Sequence, residues 1–140
     1  MTNTNERRSI EELSESPYWI VDILPYQVPK DGPGQYFAVE DYFLHKERFA
    51  KVKQKHIDLV LKLNCYTDIS LEDEEECNPA PERIAAAMRK RSVWIRVGAS
   101  AILSETDETY LTVFDPDEEL LELIKTLAVG EGLYVWQPPA

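Results

Sequence analysis

The chain has 140 residues and a formal net charge of −11, and 44% of its side chains are hydrophobic. This length and composition fit one soluble globular domain whose core can form without disulfides or metals. No apolar stretch approaches the roughly 18 residues of a membrane span, and residues 1–16 lack the apolar segment of a secretory signal. We therefore expect a cytoplasmic protein with no membrane partner.

The charges are grouped along the chain. Residues 46–67 and 81–104 each carry a formal charge of +4, whereas residues 1–45, 68–80 and 105–140 carry −5, −6 and −8. Such grouping creates local fields of both signs, which influence partner choice and association rate more than fold. The acidic excess argues against general nucleic-acid binding, which needs a basic face. We expect opposite charges to occupy separate regions of the surface.

The first predicted elements are a flexible N-terminal segment and a strand. Residues 1–16 are polar, and residues 17–140 are expected to form a single globular domain. Residues 18–24 are rich in β-branched and aromatic side chains and lie between two prolines, which predicts a strand. Alternation along this strand places Asp22 on the face that carries Tyr18, Ile20 and Leu24.

A loop follows at residues 25–34, which contain three prolines and two glycines. Its flanking aromatic residues, Tyr26, Tyr36 and Phe37, supply more apolar surface than a connector needs. Aromatic side chains are enriched in interfaces, and loops often carry function. The loop is therefore predicted to recognise a partner or, alternatively, to close over a pocket lined by these three side chains.

The next segment is a helix followed by an ambiguous stretch. Residues 39–55 have the apolar spacing of an amphipathic helix. Residues 56–66 fit a strand, because five alternate positions are apolar, and they also fit a continuation of the helix through His56, Leu59 and Leu63. The strict alternation favours the strand.

Capping signals predict two further helices. Asn78 and Pro79 combine a capping side chain with a proline at the first helical position, and this helix ends in basic residues. Asp115 and Pro116 start the last helix in the same way, and Gly130 is expected to end it.

The remaining segments are predicted strands. Residues 93–97 form one strand, Gly98 marks a bulge or tight turn before residues 101–104, and residues 109–114 return antiparallel as the second arm of a hairpin. Residues 133–136 form the last strand. The order β-α-β-α-β-β-α-β predicts an α+β domain, or alternatively an α/β domain, with a mixed sheet packed against helices.

An enzyme is the less favoured class, because no linear catalytic motif is present. Catalytic groups would have to come from the scattered residues Asp22, His56, Asp58 and Arg96. On a strand, His56 and Asp58 share a face but lie about 7 Å apart, too far for a direct hydrogen bond. An inward Asp22 needs a partner such as Arg96. Structural or solvated roles explain these residues more simply.

Cysteine and histidine are too sparse for a metal or redox site. Cys65 and Cys77 lie twelve positions apart, and His45 and His56 are the only histidines. This spacing matches neither a disulfide framework nor a zinc site. We expect inert or buried thiols, no metal and no cofactor.

The favoured function is protein–protein interaction by a small acidic intracellular protein of inhibitor, immunity or adaptor type. Acidic side chains would attract and orient a basic partner. The alternatives are an enzyme with a non-motif active site and a small-ligand-binding regulatory module. The predicted partner-binding residues are the loop aromatics and two acidic groups: Tyr26, Tyr36, Phe37, Asp68, Glu72, Asp73, Glu74, Glu105, Asp107 and Glu108.

Overall fold

A computed structural model describes residues 9–72 and 74–139. In this part of the chain, six strands form one sheet with five helices around it, and none of the helices is long and apolar enough to cross a membrane. The helices are α1 (Ile10–Leu13), α2 (Tyr36–Phe43), α3 (Lys46–Leu63), α4 (Pro81–Lys90) and α5 (Glu118–Gly130). The strands are β1 (Tyr18–Asp22), β2 (Ile69–Leu71), β3 (Val93–Val97), β4 (Ser100–Ser104), β5 (Leu111–Phe114) and β6 (Tyr134–Trp136).

The sheet has the strand order β2-β3-β4-β5-β1-β6, and every pairing is antiparallel. The predicted α+β class is confirmed, but the sheet is antiparallel rather than mixed. The short turns between β3, β4 and β5 explain this difference, since a parallel pairing needs a long crossover. Gly98 adopts a φ of 59° in the first of these turns, which confirms the predicted tight turn.

Three helices cover one face of the sheet. The side chains of α3, α4 and α5 pack against alternate residues of the strands and form the larger core. In β3, for example, Val93, Ile95 and Val97 are buried while the residues between them are half-buried. Helix residues in this core include Ile57, Val60, Ile84, Met88 and Ile124.

The strand favoured for residues 56–66 is wrong, and the alternative of a continued helix is right. Helix α3 runs from Lys46 to Leu63, and its buried residues follow helical spacing. Leu59 is fully buried, whereas Leu61, which strand alternation places on the same face, is only half-buried. The alternation arose because a wide apolar stripe on a helix also occupies every second position over a short stretch.

The helix predicted over 39–55 is in fact two helices. Helix α2 ends at Phe43, and α3 begins after His45 with Lys46 at a φ of 43°. This left-handed residue breaks the helical path between the two elements. Gly130 is the last residue of α5 as predicted, although the left-handed turn after it is made by Gly132 at a φ of 76°.

Both predicted N-caps lie two residues too early. Helix α4 is capped by Ala80 and α5 by Asp117, whose side chain accepts a hydrogen bond from the Leu120 backbone at 2.8 Å. Asn78 and Asp115 instead have φ values of 55° and 51°. Asn and Asp tolerate this left-handed conformation, so each makes a turn before its helix.

The opposite face of the sheet is only partly covered. Residues 1–8 of the predicted flexible segment lie outside the described residues, but α1 forms after a capping box between Ser9 and Glu12. Its Leu13 is fully buried against Ala101 and Phe114, in a second and smaller core. Structure therefore begins before Pro17, and α1 leaves the β1 and β6 end of this face open.

The helical register of α3 predicts unequal effects of two similar substitutions. Leu59→Ala should lower the free energy of unfolding by about 2–5 kcal/mol, because it leaves a cavity in the main core. Leu61→Ala should lower it clearly less, since that side chain is half-buried. Urea denaturation of both variants tests this, and equal losses would contradict the helix.

Candidate binding site

A cavity of about 530 Å³ lies on the partly covered face, above β1, β5 and β6. In the sheet, Ile20 pairs with Thr112 on one side and with Trp136 on the other. The opposite side of β1 supplies Val21 to the main core, so the predicted facing of this strand is confirmed. We call this space the aromatic cavity; its lining is Ser14, Tyr18, Ile20, Asp22, Leu24, Tyr26, Gln27, Val28, Tyr36, Tyr110, Thr112, Phe114, Trp136 and Pro138.

The proline-glycine loop forms one wall of the aromatic cavity. Tyr26 and Tyr36 line the cavity, as the pocket alternative predicts. Phe37 does not line it: this side chain is 77% exposed and borders a smaller neighbouring space of about 300 Å³ formed by the loop itself. Tyr36 and Phe37 are consecutive residues of α2, so their side chains point in directions that differ by about 100°.

Asp22 forms the polar floor of the cavity. The residue is 8% exposed, and its Oδ1 accepts a hydrogen bond from the Ile23 backbone N–H at 2.7 Å. Burial raises the pKa of Asp22 to about 6, against the opposing effect of backbone N–H groups of Ile23 and Leu24. No residue lining the cavity is basic. The carboxylate is therefore held without a compensating cation in its own cavity.

The indole of Trp136 faces this carboxylate. Its N–H lies close enough to lower the pKa of Asp22, yet it forms no hydrogen bond of good geometry. In residues 9–72 and 74–139, the buried Nε1 of Trp136 has no hydrogen-bond partner. A buried donor without a partner is costly, so the wall of the cavity has unused hydrogen-bonding capacity.

Burial and nearby acids raise the pKa values of two tyrosines that line the cavity. The pKa of Tyr36 is raised to about 12 by burial, by its hydrogen bond to Glu40 at 3.0 Å and by the charges of Glu40 and Asp22. The pKa of Tyr110 is raised to about 12 by burial and then by Glu108 and other acids. Both phenols stay protonated and neutral at physiological pH.

Four acidic side chains lie outside the cavity lining, near enough to influence the pKa values of its groups or of one another. We call them the acidic rim: Glu40, Glu105, Asp107 and Glu108. Burial, followed by repulsion from Asp107, Glu105 and Glu40, raises the pKa of Glu108 above its usual value. Within the described part of the chain, no lysine, arginine or histidine forms an ion pair within 4.0 Å of any of the four.

A buried polar cluster holds the rim loop in place. Lys53 donates to the Ser104 hydroxyl and to the Glu105 carbonyl, both at 3.0 Å. His56 bonds to the Thr109 carbonyl at 3.2 Å. Because a carbonyl only accepts, the His56 proton is on Nε2, and the buried Nδ1 has no partner among the described residues.

Burial lowers the pKa of both basic groups in this cluster, which leaves Lys53 charged and His56 neutral at physiological pH. Burial lowers the pKa of Lys53 to about 8, although Glu105 and Asp107 act in the opposite direction. Burial and the neighbouring Lys53 lower the pKa of His56 to about 3, so the imidazole is neutral at physiological pH. The cluster therefore anchors the backbone at Glu105 and Thr109, and the loop between them presents Asp107 and Glu108 outward.

Three acids of the other predicted acidic group are paired with arginines. Glu72 pairs with Arg96 at 3.2 Å, and Glu74 and Glu76 pair with Arg83 at 2.9 and 2.8 Å. Asp68 accepts a hydrogen bond from Asn78 at 2.9 Å, and Asp73 lies outside the described residues. The expected separation of opposite charges is therefore wrong for this segment, because the second basic group folds back onto it.

The four scattered residues of the enzyme alternative do not converge. Asp22 lines the aromatic cavity, whereas the other three do not. His56 is buried beneath the other face of the sheet, where it bonds to the Thr109 carbonyl. Asp58 accepts a hydrogen bond from Gln54 on α3. Arg96 donates a hydrogen bond to Glu72, next to strand β2. Arg96 is therefore not the partner of Asp22.

A larger space of about 670 Å³ lies at the other end of the sheet, beside the start of α5. Its polar groups already serve the fold: Asp117 caps α5, and Ser100 donates to the Asp115 carbonyl at 2.8 Å. Cys65 and Cys77 are free and exposed, so of the expected inert or buried thiols the buried alternative is wrong. Among the described residues, no three side chains of metal-binding type converge.

Two residues that line the site were not predicted from the sequence. Trp136 and Tyr110 both line the aromatic cavity, and neither of them is singled out by the sequence as a candidate site residue. The alternation of Tyr110, Thr112 and Phe114 is a signal that would have placed Tyr110 on the same face. No local signal shows which face of the last strand remains uncovered, because that depends on distant helices.

Comparison with protein-family models, with curated proteins and with solved structures gave no significant match. The chemistry of the site is therefore inferred from the positions and contacts of its own residues.

The buried Asp22 predicts a stability effect that depends on pH. Its pKa is raised from 3.8 to about 6 on folding, so ionised Asp22 destabilises the folded state above pH 6 and has no such effect below about pH 4. Asp22→Asn should raise the free energy of unfolding at pH 8 by up to about 3 kcal/mol, and the gain should disappear as the pH falls towards 4.

Urea unfolding of wild type and variant between pH 4 and pH 8 measures this difference. The Asp58→Asn control removes a carboxylate outside the cavity and should not reproduce the gain. A loss of stability in Asp22→Asn at pH 8 would contradict the assignment.

Proposed function

We propose that this protein binds a basic protein partner through the acidic rim and the adjoining aromatic surface, as an inhibitor, immunity or adaptor protein. The observation that carries the proposal is the contrast between the two acidic groups. Glu72, Glu74 and Glu76 are paired with arginines, whereas the acids of the acidic rim have no ion pair within 4.0 Å in the described chain.

Burial raises the pKa of Glu108, and repulsion from the other unpaired acids of the rim raises it further. A partner that brings basic side chains to the rim would relieve this repulsion. Complementary potentials of this kind accelerate encounter and select partners more than they add affinity. The rim is thus better suited to an interface than to a solvated loop.

Two features support a preformed binding surface. Lys53 and His56 anchor the rim loop from inside the domain, so less conformational entropy is lost when a partner binds. Tyr26 at the mouth of the cavity is 70% exposed and can serve as an aromatic contact. The charged side chains of the acidic rim would then border an apolar, aromatic centre, as polar rims do in many interfaces.

A second function, a small-ligand-binding module, is supported by the aromatic cavity itself. Its volume of about 530 Å³ lies within the range of ligand pockets, about 300 to 1,000 Å³. The loop of residues 25–34 forms its wall, in line with a ligand enclosed beneath that loop.

Charge reversal at the rim tests the first function with a defined basic probe, a fluorescein-labelled octalysine peptide. Glu105→Lys combined with Asp107→Lys should weaken binding by at least about fivefold at low salt, since the unpaired rim provides the attraction. Fluorescence anisotropy measures the affinity, which should also fall as salt rises.

The matched control is Glu72→Lys with Glu76→Lys, which changes the net charge equally at two acids that are paired with arginines. This control should weaken binding by less than about twofold. Equal losses in the two double variants would mean that the peptide senses only net charge, and would overturn the assignment of the rim.

A further inference from the structure

The walls and floor of the aromatic cavity differ chemically in a way that restricts its ligand. Six lining residues are aromatic: Tyr18, Tyr26, Tyr36, Tyr110, Phe114 and Trp136. The floor carries one carboxylate, Asp22, which is more than nine-tenths buried. The lining contains no basic side chain, and Glu40 and Glu108 add negative charge from outside.

This combination favours an organic cation. The faces of aromatic rings attract positive charge, and aromatic cages with a nearby carboxylate are suited to ammonium groups. An anionic ligand would meet Asp22 and the acidic rim with no compensating base. A neutral apolar ligand would leave the Asp22 carboxylate buried without a partner, which is costly.

Two other kinds of cation fit less well. A divalent metal prefers several oxygen ligands, but the lining offers a single carboxylate and neutral phenols. A guanidinium binds best to a carboxylate with two free oxygens, yet Asp22 already accepts hydrogen bonds from the Ile23 and Leu24 backbone. An ammonium group needs only one carboxylate and surrounding ring faces.

We propose that the aromatic cavity is a binding site for an alkylammonium ion, with the Asp22 carboxylate as its counter-ion and the tyrosine and tryptophan rings as its walls. This inference goes beyond the proposed protein–protein interaction, because it concerns the aromatic cavity rather than the acidic rim and a free amine could occupy the cavity without a partner protein. The ammonium group belongs to a free amine or to a lysine side chain, methylated or not, and these two sources share the same chemistry.

Choline and its uncharged isostere 3,3-dimethylbutan-1-ol test the proposal, since they have the same shape and differ in charge. We expect the intact protein at pH 8, where Asp22 is ionised, to bind choline at least about tenfold more tightly than the alcohol. Isothermal titration calorimetry, or chemical-shift changes at the Trp136 indole N–H, measures both affinities.

Two variants and one control locate the site. Asp22→Asn keeps the shape of the side chain and should reduce choline affinity about tenfold, and Tyr110→Leu should reduce it by removing a ring face. Asp58→Asn, outside the cavity, should leave the affinity unchanged. Equal affinity for choline and the alcohol, or the same choline affinity in Asp22→Asn and wild type, would overturn the proposal.

A third probe distinguishes the two sources of the ammonium group. A short peptide containing trimethyllysine that binds more tightly than choline indicates a side chain of a partner, and choline that binds as tightly as the peptide indicates a free amine. Failure of both probes rejects the ammonium site. The octalysine experiment at the rim is read independently, because charge reversal at Glu105 and Asp107 leaves Asp22 in place.

Discussion

The chemistry of the aromatic cavity depends on one carboxylate, Asp22, which is buried on the partly covered face of the sheet. Asp22 is almost fully enclosed, with backbone N–H groups and an indole N–H near it but no cation in its cavity. Desolvation without ion pairing is unfavourable for the folded state. A domain that keeps such a group does so at the expense of stability, and perturbed acids of this kind are frequent in functional sites.

The unequal covering of the sheet creates the site. Three helices cover one face and bury the main core against it, whereas α1 and the proline-glycine loop cover the other face only in part. Through Lys53 and His56, α3 also reaches the rim loop, so the element that builds the core fixes the position of the acids outside it. The stability of the domain and the geometry of its binding surface are therefore coupled.

Local signals predicted much of the fold. The alternation of β1, the turn at Gly98 and the last helix depend on neighbours in the chain, and each is present in the structure. The strand prediction for residues 56–66 is wrong because alternation and helical spacing coincide over so few residues. Only packing against the sheet decides between the two structures. Asp22 was placed on the correct face for the same local reason that β1 was recognised.

The candidate site was less accessible to such reasoning. Tyr26 and Tyr36 were predicted from their loop, but their meeting with Trp136 requires β6 to pair with β1, more than one hundred residues away in the sequence. The neutralisation of Glu72 by Arg96 likewise depends on strand pairing, since β2 and β3 lie side by side. Charge grouping along a chain therefore does not determine charge grouping on the folded surface.

The most direct measurement is an NMR titration of the Asp22 side-chain carboxyl carbon, assigned by comparison with Asp22→Asn. The account predicts a midpoint near pH 6, because the folded protein buries this group without a cation. A midpoint at or below the ordinary value of about 3.9 for aspartate would show that the carboxylate is solvated or paired, and would contradict the account.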